Sequence, residues 1–251
     1  MPRIAAFSRR RFPGIAAHNA LGIIAPISKG VAPLGSSQRA VSKNGLRRIA
    51  QEYSGLSAED LRTLRRLKTP PQIQKFIDGL TYQYANTAWS PRRVLRERKG
   101  HCLEGALLAA AALRLNGNPP LVMDLEAVHD DDHVVALYRE RGLWGAIAKS
   151  NFAGLRFRAP IYRNLRELAL SYFEHYYNLR GERTLRAYSR PVNLARLDKE
   201  EWMTSEEDVW CVPELLIAAK HYDLFPHRVA RELPRLDRRS FEAGMHGWTK
   251  H

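Results

Sequence analysis

The chain has 251 residues, of which 45% are hydrophobic and 26% charged, a composition typical of a globular protein that can bury a sizeable core. Its two cysteines, Cys102 and Cys211, exclude a disulfide framework and a four-thiolate zinc site. The longest purely apolar run, Ala106–Leu113, spans eight residues. A membrane helix needs ~20 apolar residues, so we predict that the chain does not span a membrane.

The net charge of +14 is concentrated at the start of the chain. Residues 1–48 hold nine basic side chains and no acidic one, and the first acid is Glu52. The remainder carries 31 basic and 26 acidic residues, so it is only mildly basic. Nucleic-acid binding is therefore not favoured, except as an alternative that uses the basic leader alone.

Residues 1–45 show no sustained hydrophobic period and are interrupted by proline and glycine, so we predict a disordered basic leader. The run Ser8-Arg9-Arg10-Arg11-Phe12 is similar to a twin-arginine export signal. The following stretch, Ile15–Ile27, contains polar residues and a proline and makes a poor apolar region. We therefore predict a cytoplasmic protein, with export as the alternative.

Ordered structure is predicted from Leu46 onward. Three helix starts are marked by a capping residue, at Ser57, at Thr69-Pro70 and at Ser90-Pro91. We place a core with an N-terminal helical arm at residues 46–180, and a mainly helical extension at 181–251.

A fourth helix begins at Gly100 and ends at Asn116-Gly117, with apolar residues at helical spacing between them. Cys102 lies in its first turn, where unpaired backbone N–H groups and the helix dipole favour an anion. Three strands follow, at Leu121–Val128, His133–Tyr138 and Leu143–Lys149, and then a long helix over Arg163–Asn178. The predicted fold class is α+β, with the cysteine-bearing helix packed on an antiparallel sheet.

A nucleophilic cysteine needs a base and a lowered pKa, and Cys102 with His133 on a nearby strand offers both. The alternative is that Cys102 is an ordinary buried cysteine and His133 a structural histidine. Cys211, beside apolar neighbours, is predicted to lie in the core. The acidic run before His133 is predicted to be a solvated turn, and no metal site is predicted because no third ligand can be identified.

Several motifs occur in an order that resembles the transglutaminase-like superfamily of cysteine enzymes, in a bacterial branch. They are Lys99-Gly100-His101-Cys102-Leu103-Glu104-Gly105-Ala106, His133-Val134-Val135 and Gly142-Leu143-Trp144. The resemblance covers about residues 70–155. It implies an α-helix packed on an antiparallel sheet, with a papain-like catalytic triad of Cys, His and Asp or Asn on helix, strand and strand.

The triad aspartate of that family is expected four or five residues after Trp144, where this chain has Ala148 and Lys149, followed by Ser150 and Asn151. An asparagine carbonyl can orient a catalytic imidazole, as in papain-like proteases. No acidic residue is available on this strand.

The register of the hairpin decides which residue faces His133. If residues 140–142 form a three-residue loop, Lys149 lies opposite His133 and Asn151 lies diagonally on the same face. A two- or four-residue loop places Ser150 on that face instead. We predict Asn151 as the third catalytic residue, and note that Lys149 facing His133 would disfavour an imidazolium.

The sequence predicts a thiol-dependent acyl-transfer enzyme acting on amide bonds of a peptide or protein, as a cysteine protease, amidase or transglutaminase. The oxyanion donors would be the Cys102 backbone N–H and a side chain from Gln83 or Trp89. No cofactor is implied. The alternative is a non-catalytic transglutaminase-like scaffold or binding module with a degenerate triad.

Overall fold

The structure is a computed structural model that describes residues 55–248, so the predicted leader and residues 46–54 lie outside the described part. Four helices come first, and a short parallel pair of strands links them. They are α1 (Ala58–Arg66), α2 (Pro70–Asp78), β1 (Thr81–Tyr82), α3 (Pro91–Glu97), β2 (Lys99–Gly100) and α4 (Cys102–Leu115).

A seven-stranded antiparallel sheet follows, in the order β6-β5-β4-β3-β7-β9, with β8 also paired to β3. Its strands are β3 (Leu121–Ala127), β4 (His133–Glu140), β5 (Leu143–Ile147), β6 (Arg158–Tyr162), β7 (Leu185–Ser189), β8 (Val192–Asn193) and β9 (His221–Asp223). Short helices lie between and after the strands: α5 (Leu165–Leu170), α6 (Cys211–Ile217), α7 (His227–Glu232) and α8 (Arg238–Gly244). The predicted α+β class is confirmed. None of the helices described between residues 55 and 248 is long and apolar enough to cross a membrane.

The three predicted helix starts are confirmed by capping hydrogen bonds. Ser57 Oγ accepts from the backbone N–H of Asp60 at 3.0 Å, Thr69 Oγ1 from Gln72 at 3.4 Å and Ser90 Oγ from Arg93 at 3.3 Å. Each side chain satisfies a backbone donor that the helix leaves unpaired. Local sequence therefore sets where these helices begin.

The hairpin between β4 and β5 is one residue tighter than predicted. Glu140 pairs with Leu143, so the loop consists of Arg141 and Gly142, with φ angles of 50° and 82°. Two consecutive left-handed residues give a two-residue hairpin turn whose twist matches that of the strands. A three-residue loop would place only its last residue, Gly142, in that conformation. Continuing the register places residue 150, rather than 149, opposite His133.

The two faces of the sheet are covered by different elements. Val135 and Leu137 of β4 pack with Leu168 of α5 and with Tyr172 and Tyr176 in one buried cluster. No residue of α4 belongs to this cluster, although the helix is buried over most of its length and packs on β4. Helix α4 therefore covers the other face.

Gly105 allows this close approach of α4. A Cβ atom at Gly105 would lie 2.4 Å from Cβ of Lys149, so any side chain there would push the helix away from the chain that follows β5. The glycine of the cysteine motif thus has a packing role that brings the start of the helix to the end of the sheet.

The C-terminal half differs from the prediction. The long helix expected over residues 163–178 is divided into α5 and a 3-10 turn at Phe173–His175. Tyr172 and Tyr176 are buried, and the Tyr176 hydroxyl donates to the backbone carbonyls of Leu125 at 3.3 Å and Asp131 at 2.7 Å. These contacts direct the segment after the helix toward the sheet and the turn before β4.

Residues 181–251, predicted to be mainly helical, contribute β7 and β9 to the main sheet. Leu185 of β7 and Leu224, which follows β9, belong to the same buried cluster as Val135 and Leu137. The sheet therefore continues through the region that the sequence analysis assigns to a helical extension.

Candidate active site

One cavity of about 160 Å³ opens where β4 begins and α4 starts. Four of the predicted site residues line it: Cys102, His133, Asn151 and Gln83. Trp89 does not line it. The structure thus gathers residues separated by up to 68 positions in sequence around one space.

Cys102 is the first residue of α4 and is partly exposed. Burial of the sulfur is the largest influence and raises the pKa of the thiol to about 12, and the charge of Asp131 acts in the same direction. Backbone N–H groups of Val134 and Leu103 oppose the shift, because they donate to the thiolate. The position of Cys102 at a helix N-terminus predicts a lowered pKa, and the structure gives the opposite direction because burial outweighs the dipole.

The sulfur lies at an unpaired edge of β4. Its Sγ donates to the backbone carbonyl of Asp132 at 3.8 Å. The N–H of Asp124 on β3 points toward β7, where it donates to Ser189 at 2.9 Å. Val134 is the cross-strand partner of Asp124, so its own N–H points away from β3. It points toward the position that β5 would occupy if that strand continued beyond Ile147. Cys102 occupies this gap.

His133 begins β4 and is 4% exposed. Its Nε2 lies 2.8 Å from the backbone carbonyl of Leu155. Because a carbonyl oxygen only accepts, the neutral ring must carry its proton on Nε2, which leaves Nδ1 as an unprotonated acceptor. Burial lowers the pKa of His133 to about 4, so the neutral form persists through the physiological range.

Cys102 and His133 line the same cavity but are not hydrogen-bonded to each other. Register pairs His133 with Leu125, and the ring lies against Tyr172 and Tyr176, on the face away from α4. The sulfur lies at the strand edge. Within residues 55–248, no hydrogen bond joins Sγ to either ring nitrogen.

Asn151 does not hold the imidazole. Its side-chain amide donates to the hydroxyl of Tyr84, while the Leu155 carbonyl takes the position expected for the third catalytic group. Asn151 still lines the cavity beside His133. The orienting group is thus a backbone atom, which no side-chain pattern in the sequence can reveal.

Ser150 and Lys149 also have other partners. Ser150 Oγ accepts from the Phe152 N–H at 3.0 Å. Lys149 Nζ donates to the Leu80 carbonyl at 2.6 Å, and burial lowers the pKa of this amine to about 8. The amine of Lys149 therefore points to the segment that follows α2, and not to His133.

The two predicted side-chain oxyanion donors are also placed differently. Gln83 Nε2 donates to Glu104 at 2.5 Å and to Thr87 at 3.1 Å, so its amide is already engaged. The indole N–H of Trp89 is buried and has no hydrogen-bond partner in the described part of the chain. Of the predicted oxyanion donors, the Cys102 backbone N–H remains as the candidate, at the head of the helix.

Glu104 organises this end of the helix from inside the protein. Its carboxylate is fully buried and accepts four hydrogen bonds, from Gln83 Nε2, Thr87 Oγ1, and the backbone N–H groups of Trp89 and His101, at 2.5–3.1 Å. A buried carboxylate requires such partners. The sequence shows the capping position of this residue but not its network.

Acidic residues that were not predicted as site residues form one side of the cavity. Asp124 on β3 and the turn residues Asp130, Asp131 and Asp132 all line it. Asp124 Oδ2 lies 3.1 Å from Nε2 of His221 on β9. The alternation of residues along β3 is a sequence signal that could have predicted Asp124 on the face of the sheet that α4 covers. Its pairing with His221 could not be predicted, because the two residues are distant in sequence. Among residues 55–248, no three histidine, cysteine or acidic residues are arranged to hold a metal ion.

Comparison with known proteins finds no family model that matches this sequence and no curated protein with significant similarity to it.

Proposed function

We propose that the protein is a thiol-dependent acyl-transfer enzyme acting on amide bonds of a peptide or protein, with Cys102 as nucleophile and His133 as base. The observation that carries the proposal is the shared cavity, which a cysteine at a helix start and an imidazole with an unprotonated Nδ1 both line. The resemblance of the cysteine and histidine motifs to transglutaminase-like enzymes supports the same assignment.

In the proposed reaction, Cys102 Sγ attacks the carbonyl carbon of the amide and its proton passes to Nδ1 of His133. The C–N bond then breaks, the leaving amine takes the proton from Nδ1, and a thioester remains on Cys102. Attack by water gives a carboxylic acid, and attack by an amine gives a new amide. Either acceptor restores the thiol.

The protonation states constrain the order of these events. The raised pKa of Cys102 and the lowered pKa of His133 make the resting pair neutral, so proton transfer accompanies the attack. The sulfur must also leave the Asp132 carbonyl, which a rotation about its Cα–Cβ bond allows.

The Cys102 backbone N–H is the proposed oxyanion donor. It heads α4 and makes no hydrogen bond within residues 55–248. A donor fixed by the helix needs no reorganisation as charge develops on the substrate oxygen. Glu104 holds the backbone next to this donor, because its carboxylate accepts a hydrogen bond from the N–H of the preceding residue, His101, at 3.0 Å.

Acylation by an activated ester tests the proposal. With p-nitrophenyl acetate we expect a burst of nitrophenol and an acetyl group on the peptide containing Cys102, detected by mass spectrometry. Cys102→Ser abolishes the adduct, and Cys211→Ser leaves it unchanged. His133→Gln, which can still donate to Leu155, slows acylation about a hundredfold, the lower end of a general-base contribution.

A non-catalytic binding module is the second candidate. The absence of a bond between Sγ and the imidazole, with the Leu155 carbonyl rather than a carboxylate on Nε2, favours it. A folded protein whose Cys102 is not acylated, or is acylated equally after His133→Gln, would contradict the enzyme and leave this alternative.

A further inference from the structure

The cavity is negatively charged in a strongly basic chain. Asp124, Asp130, Asp131 and Asp132 line it, and within residues 55–248 no lysine or arginine does. The whole sequence carries a net charge of +14. Burial and the charge of Asp124 raise the pKa of Asp132 to about 8, so at neutral pH its carboxyl is mostly protonated. The negative charge of the wall therefore comes from the other three aspartates and is opposite in sign to the net charge of the chain.

The four carboxylates differ in how they are satisfied. Asp124 pairs with His221 at 3.1 Å, Asp130 accepts from the Thr184 hydroxyl at 2.7 Å, and Asp132 accepts from the backbone N–H of Ala127 at 2.7 Å. The carboxylate of Asp131 has no such partner in the described part of the chain, and its side chain is exposed.

A second observation, independent of the acids, points to a ligand at the same place. The His133 side chain is 4% exposed and lines the cavity, and its Nδ1 has no hydrogen-bond partner among the described residues. An unprotonated ring nitrogen only accepts. A ligand that satisfies it must donate an N–H or O–H.

Aromatic rings complete the lining. Tyr82, Tyr84 and Trp248 contribute to the same cavity, and Tyr82 lies edge-on to Tyr84 with ring centroids 5.0 Å apart. Aromatic faces attract ammonium and guanidinium groups. Carboxylates, an unprotonated imidazole nitrogen and aromatic rings together favour a cationic ligand rich in N–H donors.

We propose that the acyl donor carries a positive charge, as a lysine or arginine side chain close to the attacked amide, and that the carboxylate of Asp131 binds this charge with support from Asp124. The inference rests on the proposed function, because it assigns the substrate class of the same cavity. The basic side chain lies along the acidic wall, so that the neighbouring carbonyl reaches Cys102.

Charged thiol reagents test the electrostatic part without a known substrate. We compare labelling of Cys102 by a cationic trimethylammonium-ethyl methanethiosulfonate and an anionic sulfonatoethyl methanethiosulfonate, each normalised to a small free thiol. Both need the same thiolate, so their ratio cancels the thiolate fraction. We expect a cationic preference of about tenfold or more, which 0.5 M NaCl reduces.

Two variants test whether Asp131 is responsible for the preference for the cationic reagent. Asp131→Asn should lower the cationic preference severalfold, whereas Asp223→Asn, an exposed control outside the cavity, should leave it unchanged. Equal labelling by the two reagents, or a preference that survives Asp131→Asn, overturns the inference. It would do so even if Cys102 proves to be acylated, so the two failures are distinguishable.

If neither reagent labels Cys102 even at pH 10, the sulfur is inaccessible and the proposed function fails, and calorimetry decides the cation site. Arginine amide should then bind the wild-type protein and bind Asp131→Asn at least fivefold more weakly. No detectable binding, or equal binding to the two proteins, overturns the site.

Discussion

The helix N-terminus and burial act on the Cys102 thiol in opposite directions. The dipole is worth about 0.3–1 kcal/mol at an exposed site. A rise from an ordinary cysteine pKa of ~8.5 to about 12 corresponds to several kcal/mol. Burial therefore determines the protonation state, and the thiolate forms only during reaction or at high pH.

The pH dependence of alkylation checks this point. At pH 7.5 we expect iodoacetamide to label Cys102 about a thousandfold more slowly than an unstructured cysteine, with the rate rising tenfold per pH unit up to at least pH 10. Peptide mass spectrometry separates Cys102 from Cys211, and circular dichroism confirms folding at each pH. A plateau in the rate below pH 8 would contradict the raised pKa.

His133 should make the protein sensitive to acid. Its folded pKa of about 4 lies below the ordinary value of ~6.5, so the folded state binds the proton less well than the unfolded state. The stabilisation is complete above pH 6.5 and is lost as the pH falls toward 4, by up to about 3 kcal/mol. Urea unfolding at pH 7.5 and 4.5 measures it.

The His133→Gln variant is the matched comparison, because glutamine can donate to the Leu155 carbonyl but does not titrate. The difference in unfolding free energy between the two pH values should be smaller in the variant by about 2–3 kcal/mol. Identical pH dependence in both proteins would show that His133 is not buried as a neutral ring.

At the scale of elements, the start of α4 depends on the buried carboxylate of Glu104. It joins the helix to the segment before it through Thr87 and Trp89. Replacing the carboxylate by an amide leaves donors facing donors, so the loss exceeds that of one hydrogen bond.

We expect Glu104→Gln to lower the free energy of unfolding by about 3 kcal/mol, measured by urea titration. Glu59→Gln, in the exposed first turn of α1, is the control and should cost less than about 1 kcal/mol. A loss for Glu104→Gln no larger than for the control would argue against the buried network.

The elements also differ in how far the sequence could predict them. Caps at Ser57, Thr69 and Ser90 were predictable because their partners lie three residues away. The division of the helix over residues 163–178 was not, because Tyr172 and Tyr176 find their partners on distant strands and loops. Helical periodicity alone therefore predicts one continuous helix, and the contacts that accompany its division are tertiary.

At the scale of the whole molecule, the C-terminal region completes the sheet rather than extending it. Strand β7 pairs with β3, and β9 pairs with β7. Without the C-terminal region, which also contains β8, β3 becomes an unpaired edge and Leu185 and Leu224 leave the buried cluster. The fold should therefore require both regions.

Truncation tests this dependence. A chain ending at Arg180 should show no cooperative unfolding in urea and should aggregate, because it exposes a strand edge and part of the core. A chain ending at Leu236 removes α8, which buries no residue, and should still unfold cooperatively. Cooperative unfolding of the shorter chain would show that residues 46–180 fold independently of the C-terminal region.

The sequence by itself determined the features that depend on near neighbours: the helix starts, the apolar helix carrying Cys102, and the strand beginning at His133. Tertiary structure decided the rest of the site. In the folded protein His133 bonds to the Leu155 carbonyl, and the Gln83 amide bonds to Glu104. Asp124 and Asp131 line the same cavity as the thiol. These contacts depend on burial and strand register, and a hairpin loop shorter by one residue changed which position lies opposite His133.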